Sequence, residues 1–445
     1  MNKRILIVAG VALIVVAALF VAPNVSFRSG GDPSRNGRPA DSARASDEAG
    51  EVEDYTADLA PSTLGDEADV EPWSPGDEPL SRPRAAVAPG PSKADAAHLS
   101  SILLPEIDRL LKLGRVPSAS VALVAGDRIV WSAARGYSNL RVKTPAATDT
   151  VYLIGSTFKT LSTLALLQQR DLGKFELDDP VSRYLTAVGI ANENPARPVT
   201  FRHLLTHTSG LPTDFGRHSV WEETPPPSLE DYLRGSLRLN RRPGTRVVYS
   251  NVAFALVAYL VETFSGVPFK TYMQTNVFGP LSMRDTAFEP RPDMAERLAI
   301  PYMPRRRGGF QAVDWVKADV WAAGVVYGTV LDQARWLAAV LDGCECRGRR
   351  LLSEASFRDM TTRQYNRFAG PINGGWLNAT TGYGLTWWVS TKDGETYIAH
   401  SGSVNGYTAF LAGNLDRRVG VAILTNGNKA HRYLYEFALK ALAIL

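Results

Sequence analysis

Three short motifs in this chain hold residues able to carry out acyl transfer. In Ser156-Thr157-Phe158-Lys159 a hydroxyl precedes an amine by three positions, where the apolar stretch Val151–Gly155 runs into a sequence with helical periodicity. At the start of a helix, residues three apart share a face, so the two groups can meet. A serine is a poor nucleophile until a base removes its proton. A lysine taken out of water can be that base once burial lowers its pKa. The free N–H groups of the first helical turn also suit a developing oxyanion. The same four residues read equally as an N-cap serine followed by a solvated lysine, and a Ser-x-x-Lys pattern alone is weak.

The second motif is Tyr249-Ser250-Asn251, after a polar loop with Pro243 and Gly244. A tyrosine held near cations can shuttle a proton, and an asparagine can hydrogen-bond a substrate amide. The bland alternatives are an N-cap at Asn251 and a core aromatic at Tyr249. The third is His400-Ser401-Gly402-Ser403, at the end of a β-type run and followed by Gly406 and Tyr407. Gly402 would let a substrate lie against the strand edge, and the Ser403 backbone N–H could serve as an oxyanion donor. Alternatively, the third motif is a polar turn between strands.

These groups need a scaffold. Leu99, Leu103, Ile107, Leu110 and Leu111 recur at helical spacing, so the body opens with an amphipathic helix. The runs Ser120–Ala125 and Ile129–Ala134, joined across Gly126-Asp127, predict a hairpin. Helices are expected over 157–172, stopped by Gly173, over 252–264, followed by Gly266 and Pro268, and over 334–341. Strands are expected at 384–389, 396–399, 407–412 and 419–424, and a helix closes the chain from about Arg432. Strands at both ends with helices between them indicate one α/β body whose sheet is assembled from both termini.

The N-terminal fifth is different. Lys3 and Arg4 precede an unbroken apolar run, Ile5–Ala22, of 18 residues, just long enough to span a bilayer. Pro23 makes a poor new N-terminus, so residues 1–27 read as a retained anchor, with a cleaved signal and a secreted product as the alternative. Residues 28–96 are rich in Pro, Gly, Ser and acidic side chains, with a net charge of roughly −8, and bury too little to fold. They read as a disordered tether with a reach on the order of 45 Å. Residues 97–445 form the body. Although the chain's net charge is +4, no block of Lys or Arg interleaved with aromatics points to nucleic acid.

Cys344 and Cys346, one residue apart, cannot complete a structural zinc site and would close a strained disulfide. They read as free thiols in a surface turn, with a redox switch or a disulfide as the alternatives. His203 and His207 have zinc-protease spacing, but Leu204 stands where the glutamate is required. No cofactor and no metal is expected. The chain also lacks a Gly-x-Ser-x-Gly elbow, which argues against an α/β-hydrolase. Trp376, Trp387, Trp388 and Tyr407 are candidates for lining a cleft.

In order and context, the three motifs resemble the Ser-x-x-Lys, Tyr-x-Asn and Lys/His-x-Gly triplet of the serine β-lactamase-like (penicillin-binding) family, most closely its class C-like branch. Further stretches look like family landmarks: Ala125-Gly126-Asp127, Leu177–Val181, Leu204–Pro212, Pro280–Met283, Ala322-Ala323-Gly324 and Tyr383-Gly384-Leu385. The resemblance covers the body and none of the first 95 or so residues. It implies a mainly antiparallel sheet flanked by helices, beside a helical subdomain carrying Tyr249. It also implies an acyl-enzyme mechanism: Ser156 attacks, Lys159 and Tyr249 move protons, and the N–H groups of Ser156 and Ser403 hold the oxyanion. Asn251, His400 and Gly402 would line the substrate. His207 falls within a landmark, which favours a structural role. Where many relatives carry a lysine in the third motif, this chain has His400, largely neutral at pH 7. That weakens readings in which the ligand bears a carboxylate.

The expectation is therefore a membrane-anchored serine hydrolase outside the cytoplasm, in the periplasm, acting on an ester, amide or peptide. Its substrate would be a small molecule or peptide, with cell-wall fragments among the candidates. A broad hydrolase or esterase comes first, a cell-wall D-peptidase second and a true β-lactamase third. The rival is an inactive cell-envelope binding protein using the same cleft, which would be expected to have lost the serine, lysine or tyrosine.

Overall fold

In the computed structural model, residues 93–213, 228–235, 237–315, 323–366, 380–428 and 430–445 are described. The apolar run Ile5–Ala22 and most of the acidic segment lie outside them. The leucine periodicity near the start of the body becomes helix α1, Lys93–Gly114. The hairpin across Gly126-Asp127 forms between β1, Ser118–Ala125, and β2, Arg128–Asn139, and short β3, Thr144–Pro145, follows. The central helices are α2, Phe158–Asp171, α3, Asn251–Ser265, and α4, Val330–Leu341. The C-terminal third supplies β4, Thr380–Tyr383, β5, Trp388–Lys392, β6, Glu395–Val404, β7, Tyr407–Asn414, and β8, Val419–Thr425. Helix α5, His431–Ile444, closes the chain.

The eight strands make one sheet in the order β4-β5-β6-β7-β8-β1-β2-β3. Every pairing is antiparallel. The termini meet where β1 pairs β8, from Ala119 opposite Thr425 to Ala125 opposite Val419. Both sheet faces are covered. Val121, Leu123, Phe410, Ala412, Val421 and Ile423 pack with α1 and α5 side chains such as Leu103, Ile107, Leu434 and Phe437. Their alternates Ala122, Val124, Ala409, Leu411, Ala422 and Leu424 face the larger core with α2, α3 and α4. Burial on both faces explains why β1, β7 and β8 read as continuous apolar runs rather than alternating ones.

Two strand expectations are corrected. Of the run expected at 384–389, residues 384–387 form the turn between β4 and β5 and only Trp388 and Val389 are in a strand. Thr386 there has φ +73°, the Gly384 N–H donates to the Trp387 carbonyl at 2.8 Å, and the Thr386 N–H donates to Leu205 O at 2.7 Å. The third motif lies within β6 rather than beyond its end, because the chain reverses at Asn405-Gly406, with Gly406 at φ +77°. Among the described residues no single helix is long and apolar enough to cross a membrane.

Candidate active site

The nucleophile turn is built from the strand inward. Val151–Leu153 pairs antiparallel with Tyr327–Thr329, and the Ile154 N–H donates to Val326 O at 2.9 Å. Gly155 then turns at φ +56°, and a 3₁₀ turn over Gly155–Thr157 feeds α2. The Thr157 hydroxyl bonds back to Ile154 O at 2.7 Å, fixing that turn. Lys159, one turn on, donates to Ser156 Oγ at 3.0 Å and to the carbonyl of Ala323. The amine side is sealed, with Lys159 fully buried, whereas Ser156 is only half-buried. The hydroxyl is therefore reachable from outside while its partner is not. In the sequence, Ala323 stands out only as part of the stretch Ala322-Ala323-Gly324. Its carbonyl as a lysine anchor carries no signal in a side chain.

Tyr249 stands just before α3, its ring 4.9 Å from Lys159 Nζ, with the Phe254 ring at 5.5 Å from the same nitrogen. The cap of α3 is Ser250, not Asn251: the Ser250 hydroxyl accepts from Ala253 N at 3.0 Å and donates to Pro212 O at 2.6 Å. Asn251 is thus the first helical residue, half-buried, its backbone N–H held by Thr213 O at 2.7 Å.

The third motif closes on the first through glycines. A methyl group added at Gly402 would lie 2.3 Å from Ile154 O and 3.1 Å from Ser156 N. One added at Gly324, where φ is +146°, would lie 2.8 Å from Ser156 N. One at Gly155 would lie 2.8 Å from Ser403 N. So Gly402 is required by the nucleophile's own backbone. The same packing lays the Ser403 amide beside the peptide that precedes Ser156, and Ser403 itself is exposed.

His400 is buried, its ring stacked on Trp388 with centroids 5.7 Å apart. Its Nδ1 lies 2.7 Å from Ser401 O; a carbonyl only accepts, so Nδ1 carries the proton. Burial first, then the neighbouring Lys159 charge, push its pKa down to about 3. Between about pH 6.5 and that value the unfolded chain binds a proton that the folded chain refuses. Stability should therefore be intact above pH 6.5 and fall as the pH drops through this window, by about 2 kcal/mol at pH ~5 for this one group. Denaturant titrations at pH ~7 and pH ~5 should show that loss shrinking by this amount in His400→Gln.

The remaining candidates fall elsewhere. His203 caps the short helix Phe201–Leu205, its Nδ1 accepting from Thr200 N at 3.2 Å, and His207 Nδ1 accepts from Ser250 N at 3.1 Å. Both rings thus serve the backbone. Trp387 and Tyr407 are core residues with no exposure. Trp388 is buried behind His400, and Trp376 lies outside the described residues. Cys344 is a buried free thiol rather than a surface one, because residues 344–351 fold back through the Leu351 N–H to Cys344 O bond of 2.7 Å. Cys346 is free and half-buried.

A family model described as Beta-lactamase matches residues 106–444. Protein flp of Staphylococcus aureus is 23% identical over 330 residues, 73% of this chain, and the chain spans 62% of that relative's length. Penicillin-binding protein 4 of Amycolatopsis lactamdurans is 29% identical over 336 residues, 73% of this chain and 84% of the relative. The octameric penicillin-binding protein homologue from Pyrococcus abyssi superposes with a TM-score of 0.64 at 25% identity, covering 79% of this chain and 77% of its own. A penicillin-binding protein from Bacillus halodurans shares the fold, with a TM-score of 0.59 at 24% identity over 76% and 98% of the two chains.

Proposed function

This chain belongs to the β-lactamase family of serine hydrolases, and on that premise we propose that it cleaves an ester, amide or peptide bond through an acyl-enzyme on Ser156. One observation carries the reading: Lys159 Nζ lies 3.0 Å from a reachable Ser156 Oγ, on the sealed side of the site. Ser156 Oγ attacks the substrate carbonyl and its proton passes to Lys159 once that amine has given up its own proton, a loss that removal from water favours. The oxyanion is held by the N–H groups of Ser156 and Ser403. Collapse breaks the carbonyl–leaving-group bond, and Lys159 and Tyr249 return the proton to the departing oxygen or nitrogen. Water then attacks the acyl ester with help from Tyr249, restoring the Ser156 hydroxyl. Asn251, the first residue of α3, would hydrogen-bond a substrate amide.

His400 ranks the substrates. A neutral imidazole offers no fixed cation to a substrate carboxylate. Neutral esters and amides therefore stand first, D-peptides second and β-lactams third. The test is turnover of p-nitrophenyl acetate and nitrocefin. kcat/KM for the neutral ester should exceed that for the carboxylate-bearing β-lactam by about tenfold or more, and His400→Lys should narrow the gap, since one charge-assisted contact is worth about 1.5 kcal/mol or more. Ser156→Ala should abolish both. Absence of turnover by the folded wild type would leave the binding-protein reading in its place.

We place the body outside the cytoplasm, tethered by the Ile5–Ala22 run through the acidic linker, because that run is of bilayer length. Membrane fractionation with an intact mass of the mature chain tests this. A soluble product beginning after Ala22 would mean a cleaved signal instead.

A further inference from the structure

We propose that His207 is a positioning residue for Tyr249, the wedge that holds the tyrosine ring in register with Lys159. The role rests on the acyl-enzyme reading above. Three observations on different atoms of His207 converge. Its carbonyl accepts the Val248 N–H at 2.7 Å, and its Nδ1 accepts the Ser250 N–H at 3.1 Å, so the residues on either side of Tyr249 are both tied to it. Its ring lies against the Tyr249 ring, centroids 4.2 Å apart and planes 32° from parallel. Phe254 at 5.3 Å and Tyr383 at 5.6 Å confine the imidazole.

The chain accepts strain and isolation to keep this arrangement. His207 is a non-glycine residue at φ +55°, in the left-handed region, and is fully buried. Because Nδ1 accepts a backbone N–H, the ring proton sits on Nε2, and Nε2 has no hydrogen-bond partner among the described residues. Protonating the ring would put a second proton on Nδ1 and break its bond to Ser250; burial, and then the Lys159 charge, hold it neutral. An imidazole whose one hydrogen bond holds backbone and whose other nitrogen makes none is suited to a wedge, not to a proton carrier. The segment around it is docked to match. Gly244 N donates to Thr208 O and Asn240 N to Gly210 O, both at 2.8 Å, and a methyl group on Gly210 would lie 2.2 Å from Arg241 O. The Thr206–Gly210 segment is thereby laid along the loop that leads to Tyr249.

Two variants separate the parts of the wedge. In His207→Asn the side-chain oxygen can still accept from Ser250. In His207→Phe the ring remains but the acceptor is lost. On p-nitrophenyl acetate, His207→Phe should lower kcat about 100-fold with KM within about threefold, and His207→Asn should recover at least about tenfold of that loss, since ångström misplacement of a reacting group costs on this order. The alkaline limb of the kcat–pH profile should move in His207→Phe. Equal losses in both variants, or a KM effect alone, would overturn the proposal. A second readout does not depend on activity. With 3-fluorotyrosine incorporated into the full chain, the Tyr249 ¹⁹F resonance, assigned from Tyr249→Phe, should shift in His207→Phe and stay nearer its place in His207→Asn. A resonance unmoved in both variants would overturn the wedge even if the wild type proved inactive, whereas an inactive wild type with the expected shifts would sink only the hydrolase reading.

Discussion

Replacing Lys159 by methionine is expected to slow fluorophosphonate labelling of Ser156 about a thousandfold while leaving the chain folded. The probe reacts with an activated hydroxyl only. In this site the hydroxyl's activating contact is the 3.0 Å hydrogen bond from Lys159 Nζ, and a positioned base is worth about 10²–10⁴ in rate. Methionine approximates the length of the lysine stem without its nitrogen, and Lys159 has no exposure, so the packing of α2 is largely retained. The Ala323 carbonyl, which accepts from the same amine, loses that partner, and a modest drop in stability should accompany the change. Peptide mass spectrometry of labelled wild type should place the adduct on Ser156. Labelling of the methionine variant at the wild-type rate would show that the serine draws its reactivity from elsewhere.

The second large effect is expected from one carbon atom. Gly402→Ala puts a methyl group 2.3 Å from the carbonyl of Ile154, a rigid backbone atom two residues before the nucleophile. Neither β6, paired with β7 from Tyr397 to Val404, nor the strand leading to Ser156 can yield without breaking a ladder. Forced overpacking of this kind costs about 3 kcal/mol. Whatever movement relieves it separates the Ser403 amide from Ser156, so labelling should fall at least about 100-fold even in the folded fraction. Gly189→Ala is the control: nothing lies within 4 Å of a methyl group there, and stability and labelling should be close to wild type. A Gly402→Ala protein that melts and labels like the control would mean that the two segments are not in contact.

The chemistry was legible because it is local. Ser156 and Lys159 are one helical turn apart, and that spacing alone lets hydroxyl meet amine wherever a helix starts. The hairpin at Gly126-Asp127, the stop at Gly173 and the end of α3 at Gly266 were readable for the same reason, since each depends on the backbone freedom of a nearby residue. The turn over 384–387 was not, because it is fixed by distant partners, Leu205 and Met360, that sequence spacing does not reveal. Trp387, Trp388 and Tyr407 failed as cleft residues for a related cause: an aromatic's type does not say which layer its strand faces, and these face the cores.

By itself, then, the sequence determined the inventory: a sheet drawn from both termini, a central helix opening on Ser156, and a tyrosine and a histidine motif in fixed order along the chain. Tertiary structure decided what each group is. It supplied Ala323 O as the second anchor of Lys159, made Gly402 a contact with the nucleophile's backbone, and turned His207 from one of a pair of spaced histidines into a support for Tyr249. It also made His400 a neutral ring, because dehydration and a lysine charge act through space on a group that sequence leaves at its ordinary value. Spacing along the chain sets which side chains can reach one another, but charge state, burial and the fit of one backbone against another are set by residues hundreds of positions away.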